Sequence, residues 1–544
     1  MSNRNTQKIH SLEQGAALLF LSTILAKIIS AFFKIPLSSE YCLGDLGFGY
    51  FSAVHDLITP IHTLAASGLP VAVSRLTAQY IAEKRQGGAE KVFKTSKRVI
   101  TAIALICGVL IFVLSYPFVL LTDKTGQTIY SLFAMIPAVI CCILTSVYRG
   151  YYEGIRNMTP AAISDIVEAL GKLILGFAFA YFTVRATGNP ALGSAAAVIG
   201  ISTGAFLSLL YLMISYRKDR GKNINKDALY DKKLAKTVVA LAFPIAIASI
   251  SGCVVSVIDT LTVRAQLTVT VNEFPNIISE MYSSVTKGAK AEEIPTLLYG
   301  IRSKAYTLYN LIPTLTVALG VAAVPDITVA FSEKDTAGIK RGVATVIKMA
   351  AFIALPAGIG LFSIADGVFR LLYGDTASAV IGGKLLSVFA VAAVFAGISV
   401  VLSCVLQAVD RQKNVFYNVL IGIAVKLILN LSLSNIPKVN IFGSVYGTLG
   451  CFIVIFILNL YVLLKYTGVI EGMFKALVKI SVSAAICGLA AFAFSLLGDS
   501  SIITVVSILM AFAVYILGII SLKTFKKDEI ERLPCGKMLS KFVK

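Results

Sequence analysis

The stretch HDLITPIHTLAASGLPVAVSRL, His55 to Leu76, sets an aspartate, two histidines, an arginine and two prolines inside a long apolar run. A helix that only anchors a chain in lipid does not carry this load, because ionisable groups inside a membrane are costly and face protein or water. His62 and Arg75 are cationic candidates, and Asp56 is a candidate for holding a coupling ion. Asp56 and His55 are neighbours in sequence, so they do not share a helix face and no simple His–Asp relay is implied. Two further cations, Lys27 and Lys34, stand seven residues apart and fall nearly on one helix face. Arg302 and Lys304, in GIRSKAYTLYN, open a later apolar segment. If these cations converge on one water-filled chamber, its low-dielectric walls focus their field on a phosphate or pyrophosphate. The bland reading of Lys34, Arg302 and Lys304 is anchoring at helix ends, and that of Arg75 is snorkelling to the surface. Lys27 resists that reading. Asp259, in SVIDTLTVRAQL with Arg264 five residues on, either binds a coupling ion or pairs with a cavity cation. Asp165, Glu168 and Lys172 read as structural, with Glu168 and Lys172 paired at i, i+4.

The elements that must position these groups follow from composition. The chain has 544 residues, 57% hydrophobic and only 14% charged, with mean hydropathy +0.83. Soluble domains carry roughly a quarter charged residues. Apolar blocks of about 20 residues recur from end to end, each long enough to cross the hydrocarbon core. Backbone polar groups must be satisfied within lipid, so these blocks are helices. The expected architecture is an all-α polytopic membrane protein with about 14 transmembrane helices. Approximate spans are 12–36, 49–80, 97–121, 129–149, 160–184 and 192–216, then 237–265, 303–331, 343–366, 380–408, 415–434, 442–465, 475–497 and 501–522. The second is too long for the bilayer, about 46 Å at 1.5 Å per residue. Pro60, Gly68 and Pro70 are its natural bending points, whether to shape packing or to face a cavity.

With the N-terminus inside, about 34 of the 49 Lys and Arg fall in inside segments and about 10 outside, which puts both termini in the cytoplasm. KRQGGAEKVFKTSKR, RKDRGKNINKDALYDKK and the tail KTFKKDEIERLPCGKMLSKFVK hold most of them. The expected organisation is a six-helix lobe over 1–216, a basic linker over 217–236 and a second six-helix lobe over 237–465. Residues 466–544 add two helices and a basic tail. An internal repeat supports the two lobes. GKLILG (Gly171–Gly176) matches VKLILN (Val425–Asn430) at an offset of 254, which also lays EGIRNMTP on QAVDRQKN. GGAEKVFKTSKR matches AGIKRGVATVIK at an offset of 250. Repeats of this kind place a substrate site at their interface and let the halves rock around it.

Other classes are disfavoured. The net charge of +20 sits in short tracts between apolar segments and forms no nucleic-acid patch. Nine cysteines lie mostly in apolar segments without a CxxC or Cys/His cluster, so neither a metal nor a cofactor is expected. Walker loops and HExxH are absent, which argues against an enzyme.

SGLPVAVSRL and YRGYYEGIRNMTPAAISDIVEALGKLILG resemble the polysaccharide-biosynthesis flippases, in particular the stage V sporulation protein B branch related to the MviN/MurJ lipid II flippases. IDTLTV and LQAVDRQKN fit the same pattern. The resemblance implies a MATE-like fold, two six-helix lobes around a cavity, with two extra C-terminal helices. It also implies transport of undecaprenyl-pyrophosphate-linked glycans across the bacterial cytoplasmic membrane. The partners implied are the lipid-linked substrate, membrane lipids and cell-wall synthesis proteins. By that resemblance Lys27 and Lys34 stand near first-helix cavity positions, His62 near a second-helix position, and Arg302 and Lys304 within about a turn of the eighth-helix position. None is an identical match, and lysine lacks the bidentate fork of arginine. A monovalent coupling cation at Asp56 or Asp259 is the one small ligand expected. The competing reading is a MATE-like multidrug or cation antiporter, which calls for acidic cavity residues where these are basic.

Overall fold

The computed structural model describes residues 12–83, 87–219, 231–250, 254–286, 289–468, 472–498, 500–522 and 524. Most of the basic linker and nearly all of the C-terminal tail lie outside those residues. The regular elements among the described residues are all helices, with no strand. The first ten helices are α1 (Leu12–Leu37), α2 (Gly44–Thr63), α3 (Leu69–Ala82), α4 (Gly88–Thr122), α5 (Thr128–Gly154), α6 (Thr159–Gly171), α7 (Phe177–Thr187), α8 (Pro190–Asp219), α9 (Lys232–Ile250) and α10 (Val254–Glu273). Two short helices follow, α11 (Pro275–Met281) and α12 (Ser283–Thr286), then α13 (Ile294–Tyr309), α14 (Leu311–Ser332), α15 (Thr336–Ser363) and α16 (Ala365–Tyr373). The chain finishes with α17 (Ala377–Ala408), α18 (Gln412–Ser434), α19 (Ile441–Thr467), α20 (Met473–Ser495) and α21 (Ser501–Ser521).

Among the described residues, 11 helical segments are long and apolar enough to cross a membrane. The other three segments expected as spans coincide with α1, with α2 and α3, and with α9 and α10, which are helical as well. The eighth segment begins earlier than hydropathy suggests, at Ile294 rather than residue 303. Its first turns carry Thr296 and Gly300, which lower hydropathy but are buried against polar partners.

Two compact units divide the chain. The first holds residues 1–268 and 289–300, and the second holds 269–288 and 301–544. In the first, Phe48, Phe51 and Val54 of α2 pack with Ile143 and Val147 of α5 and Val198 of α8. Phe93 stacks on Tyr216 at 4.2 Å between ring centres. In the second, Val343 and Ile347 of α15 pack with Val401 and Val405 of α17. The last two helices close a smaller cluster against α15, through Ile480, Cys487 and Ala511, and Tyr515 donates to the Phe352 carbonyl at 2.8 Å.

The repeat is visible in the backbone. α5 ends at Gly154 and α17 at Ala408, 254 residues later. Two residues beyond each end the chain takes the same left-handed turn, Arg156 at φ 61° and Asp410 at φ 57°. α6 and α18 then begin one residue out of that register. A non-glycine residue at positive φ is uncommon, so its recurrence at this offset marks the two hairpins as copies of one design.

Pro60 and Pro70 flank a π-helical turn, Leu64–Gly68, between α2 and α3. Pro70 brings no N–H to the ladder, and the Leu69 N–H reaches back five residues to the Leu64 carbonyl. The bend expected at Gly68 and Pro70 is therefore a widened turn. A second π turn, Lys172–Gly176, joins α6 to α7. It rests on α8 through glycines: a Cβ at Gly171 would meet the Gly204 Cα at 2.5 Å, and one at Gly200 the Gly176 Cα at 2.3 Å. Small residues let membrane helices approach this closely. π turns are rare and gather at functional sites.

Candidate functional site

Both π turns of the first unit border one polar centre. His62 lies two residues before the first turn, and Lys172 opens the second. His62 Nε2 is 3.1 Å from Glu168 Oε1, and the Lys172 ammonium donates to the same oxygen at 2.7 Å. Lys172 Nζ also lies 3.5 Å from His62 Nε2. From α5, Arg149 donates to Glu168 Oε2 at 3.0 Å and pairs with Asp165 Oδ1 at 2.6 Å. Its Nε donates to Ser164 at 2.9 Å. Two cations and two carboxylates thus balance, with a histidine on their edge. Glu168 is buried, whereas the His62 side chain is 44% exposed. The arrangement lets one group meet a ligand while the charges behind it fix its position. Cys142 Sγ completes the edge, 3.9 Å from Glu168 Oε1. His62, Cys142 and Glu168 offer donor atoms all within 4.8 Å of one another, the geometry of a metal-holding group.

Sequence spacing pairs Glu168 with Lys172 but misses Arg149, which reaches them from another helix. The only linear signal for Arg149 is its place in YRGYYEG, at the end of an apolar run.

The other candidate residues fall in different settings. Lys27 and Arg75 are exposed, and Lys34 is half-buried on α1, within electrostatic range of both Asp56 and His55. Asp56 is buried and accepts from the Tyr299 hydroxyl at 3.0 Å, which meets Thr260 at 2.9 Å. His55 Nδ1 comes to 3.7 Å from Asp56 Oδ1. Side chains that leave adjacent helix positions in different directions here meet at their tips, which the facing argument does not anticipate. Asp259 is buried on α10. Arg264 pairs with Asp123, a partner no spacing rule supplies. In the second unit, Arg302 donates to Ser444 at 2.8 Å and lies over the Tyr306 and Phe389 rings. Lys304 lies over the Tyr373 ring at 5.4 Å. Both are fully buried, so they are not simple surface anchors. Lys426, the repeat counterpart of the half-buried Lys172, is fully buried and donates to Thr448 at 3.0 Å.

A second polar network of the first unit is built on the loop between α4 and α5. Asp123 accepts from the Thr125 amide at 3.1 Å and the Thr128 amide at 2.8 Å. It also accepts from both their hydroxyls at 2.6 Å. Arg264 lies 3.8 Å away and donates to Thr128 and Thr296. Burial alone would raise the Asp123 carboxyl, but Arg264 and the threonine donors hold it below the usual carboxylate range.

Helices of this length and polarity, arranged in repeated hairpins, define a multi-pass membrane protein. A solved structure of the lipid II flippase MurJ, in an inward closed conformation, matches with a TM-score of 0.68 over 92% of this chain and 98% of that one, at 16% identity. An inward-facing multidrug resistance MATE family transporter matches with a TM-score of 0.61 over 83% and 100%, also at 16% identity. Residues 12–331 match the model of the polysaccharide biosynthesis protein family, and residues 302–431 match MatE. The chain belongs to the polysaccharide biosynthesis protein family. Among relatives from Bacillus subtilis (strain 168), it is 25% identical to the uncharacterized membrane protein YabM over 99% of this chain and 97% of that protein. It is 24% identical to stage V sporulation protein B over 90% and 92%, and 22% identical to the lipid II flippase MurJ over 80% and 79%.

Proposed function

We propose that the protein carries an undecaprenyl-pyrophosphate-linked glycan precursor, lipid II first among them, from the inner to the outer leaflet of the bacterial cytoplasmic membrane. The observation that carries this reading is similarity along most of the chain to a lipid II flippase, in sequence and in fold. A half-exposed histidine backed by Lys172 and Arg149 suits an anionic headgroup. In this reading the chain crosses the membrane about 14 times with both termini in the cytoplasm. Lys27, Lys34, His62 and Arg75 are the proposed contacts to the pyrophosphate and sugar, and the lipid tail stays in the bilayer. The π turn between Pro60 and Pro70 lets the second span flex during alternating access. A pyrophosphate with about two negative charges leaves a negative interior down the potential, a drive of roughly 4–5 kcal/mol at 100 mV. Asp56 and Asp259 are the proposed residues for a coupling cation.

A second reading, a multidrug cation antiporter, is favoured by the MatE match. Native mass spectrometry of the detergent-purified protein separates the two, with lipid II, undecaprenyl phosphate and a hydrophobic organic cation in competition. Selective retention of lipid II, weakened by Lys27→Ala, is the expected result. Preference for the cation selects the antiporter, and retention of undecaprenyl phosphate alone selects carrier-lipid recycling.

A further inference from the structure

Transport of an anion accounts for a cation near His62, but not for where the Lys172 ammonium sits. His62 Nε2, Cys142 Sγ and a Glu168 oxygen come from α2, α5 and α6 and converge within 4.8 Å. An imidazole, a thiol and a carboxylate suit zinc or the larger, softer cadmium; zinc's bonds to such ligands run about 2.0–2.3 Å. Arg149 occupies the far oxygen of Glu168, at 3.0 Å, so Oε1 is the corner turned toward His62 and Cys142. The Lys172 ammonium lies on that corner, 2.7 Å from Oε1 and 3.5 Å from His62 Nε2. A single positive charge, tethered by its own side chain, stands where a divalent ion would bind.

The repeat supplies an independent observation. Lys426, 254 residues on from the half-buried Lys172, is a fully buried lysine, with its ammonium donating to Thr448 at 3.0 Å. An ammonium at this register of both repeats belongs to the fold's design rather than to one accidental pairing.

We propose that Lys172 is a tethered cation that fills a three-ligand site for a thiophilic divalent cation and holds it closed to ions. A metal entering the intact site must drive the ammonium off Glu168 and strip the proton from Cys142. Lysine at this position therefore gives the polar centre a permanent positive charge that cannot dissociate during a conformational cycle. The inference stands apart from the substrate reading, because ion binding is measured without transport.

The test is cadmium titration of the full-length protein in detergent, read by thiolate-to-cadmium charge-transfer absorption, with zinc as competitor. Lys172→Met should bind cadmium about 100-fold or more tightly than the unaltered chain, the effect of removing one like charge a few ångströms away. Cys142→Ser in the Lys172→Met background should abolish that gain. Lys172→Gln, which keeps a polar group but no charge, should show the same direction and serves if the methionine variant does not fold. Equal cadmium affinity in the unaltered and neutral variants overturns the proposal, as does a gain that survives Cys142→Ser.

Discussion

The two polar networks of the first unit are built differently. Around Asp123, a carboxylate caps its own loop and a fully buried arginine from α10 joins it, with neither side chain exposed. Around Glu168, two carboxylates and two cations balance, and one side opens through a half-exposed histidine. Closed networks fix geometry, whereas open ones can exchange a partner for a ligand. Under the proposed function, the Asp123 network holds the fold and the Glu168 network is the one that meets a substrate. It predicts that mutations in the first are read as lost stability, and mutations at the edge of the second as lost transport.

The largest expected effect is from Asp123→Ala, which strips four donors of their acceptor and leaves Arg264 buried beside no carboxylate. The cost is on the order of 3–5 kcal/mol, seen as loss of the folded fraction or a large fall in Tm in detergent. An unchanged Tm would dissolve the contrast from one side. Glu168→Gln should cost somewhat less, about 2–3 kcal/mol, because Arg149 keeps Asp165 and Ser164. His62→Gln should move stability by no more than about 0.5 kcal/mol, as expected of a group outside a closed network, yet lower lipid II transport severalfold. A His62 variant that unfolds would erase the distinction from the other side.

A pH dependence sharpens the same point. The Asp123 carboxyl is held below its unfolded value of about 4. Its stabilisation is therefore fully present above that value and is lost as pH falls through the folded value. Acid unfolding below about pH 4 should be blunted in Asp123→Asn, a comparison made by Tm against pH. The smallest effect concerns Cys42, buried in the turn after α1, where burial pushes the thiol up to about 11. It should react with maleimide at neutral pH far more slowly than a free thiol.

Much of the fold is legible in sequence because hydrocarbon leaves the backbone one choice. Apolar length alone locates α4, α5, α8 and α17 to within a few residues at most of their ends. The repeat shows in Lys172 and Lys426 because both occur in the same short string at an offset of 254. The start of the eighth segment is obscured by Thr296 and Gly300, residues chosen for close packing and for Arg264 rather than for lipid. The site is half legible. His62 stands out as a histidine in an apolar run, and Glu168 with Lys172 as an i, i+4 pair. Their meeting is not readable, because it depends on α2 lying against helices more than a hundred residues later. The same holds for Arg264 and Asp123, joined across 141 positions of sequence. Local spacing reports faces of one helix, and these contacts are tertiary.

The most direct measurement is outward movement of lipid II in proteoliposomes containing the purified protein, with an imposed potassium diffusion potential. Protein-dependent exposure of lipid II on the positive side is expected, slowed when an ionophore collapses the potential and impaired by His62→Gln. Movement that is indifferent to both the potential and His62, or movement of an organic cation in place of lipid II, would contradict it.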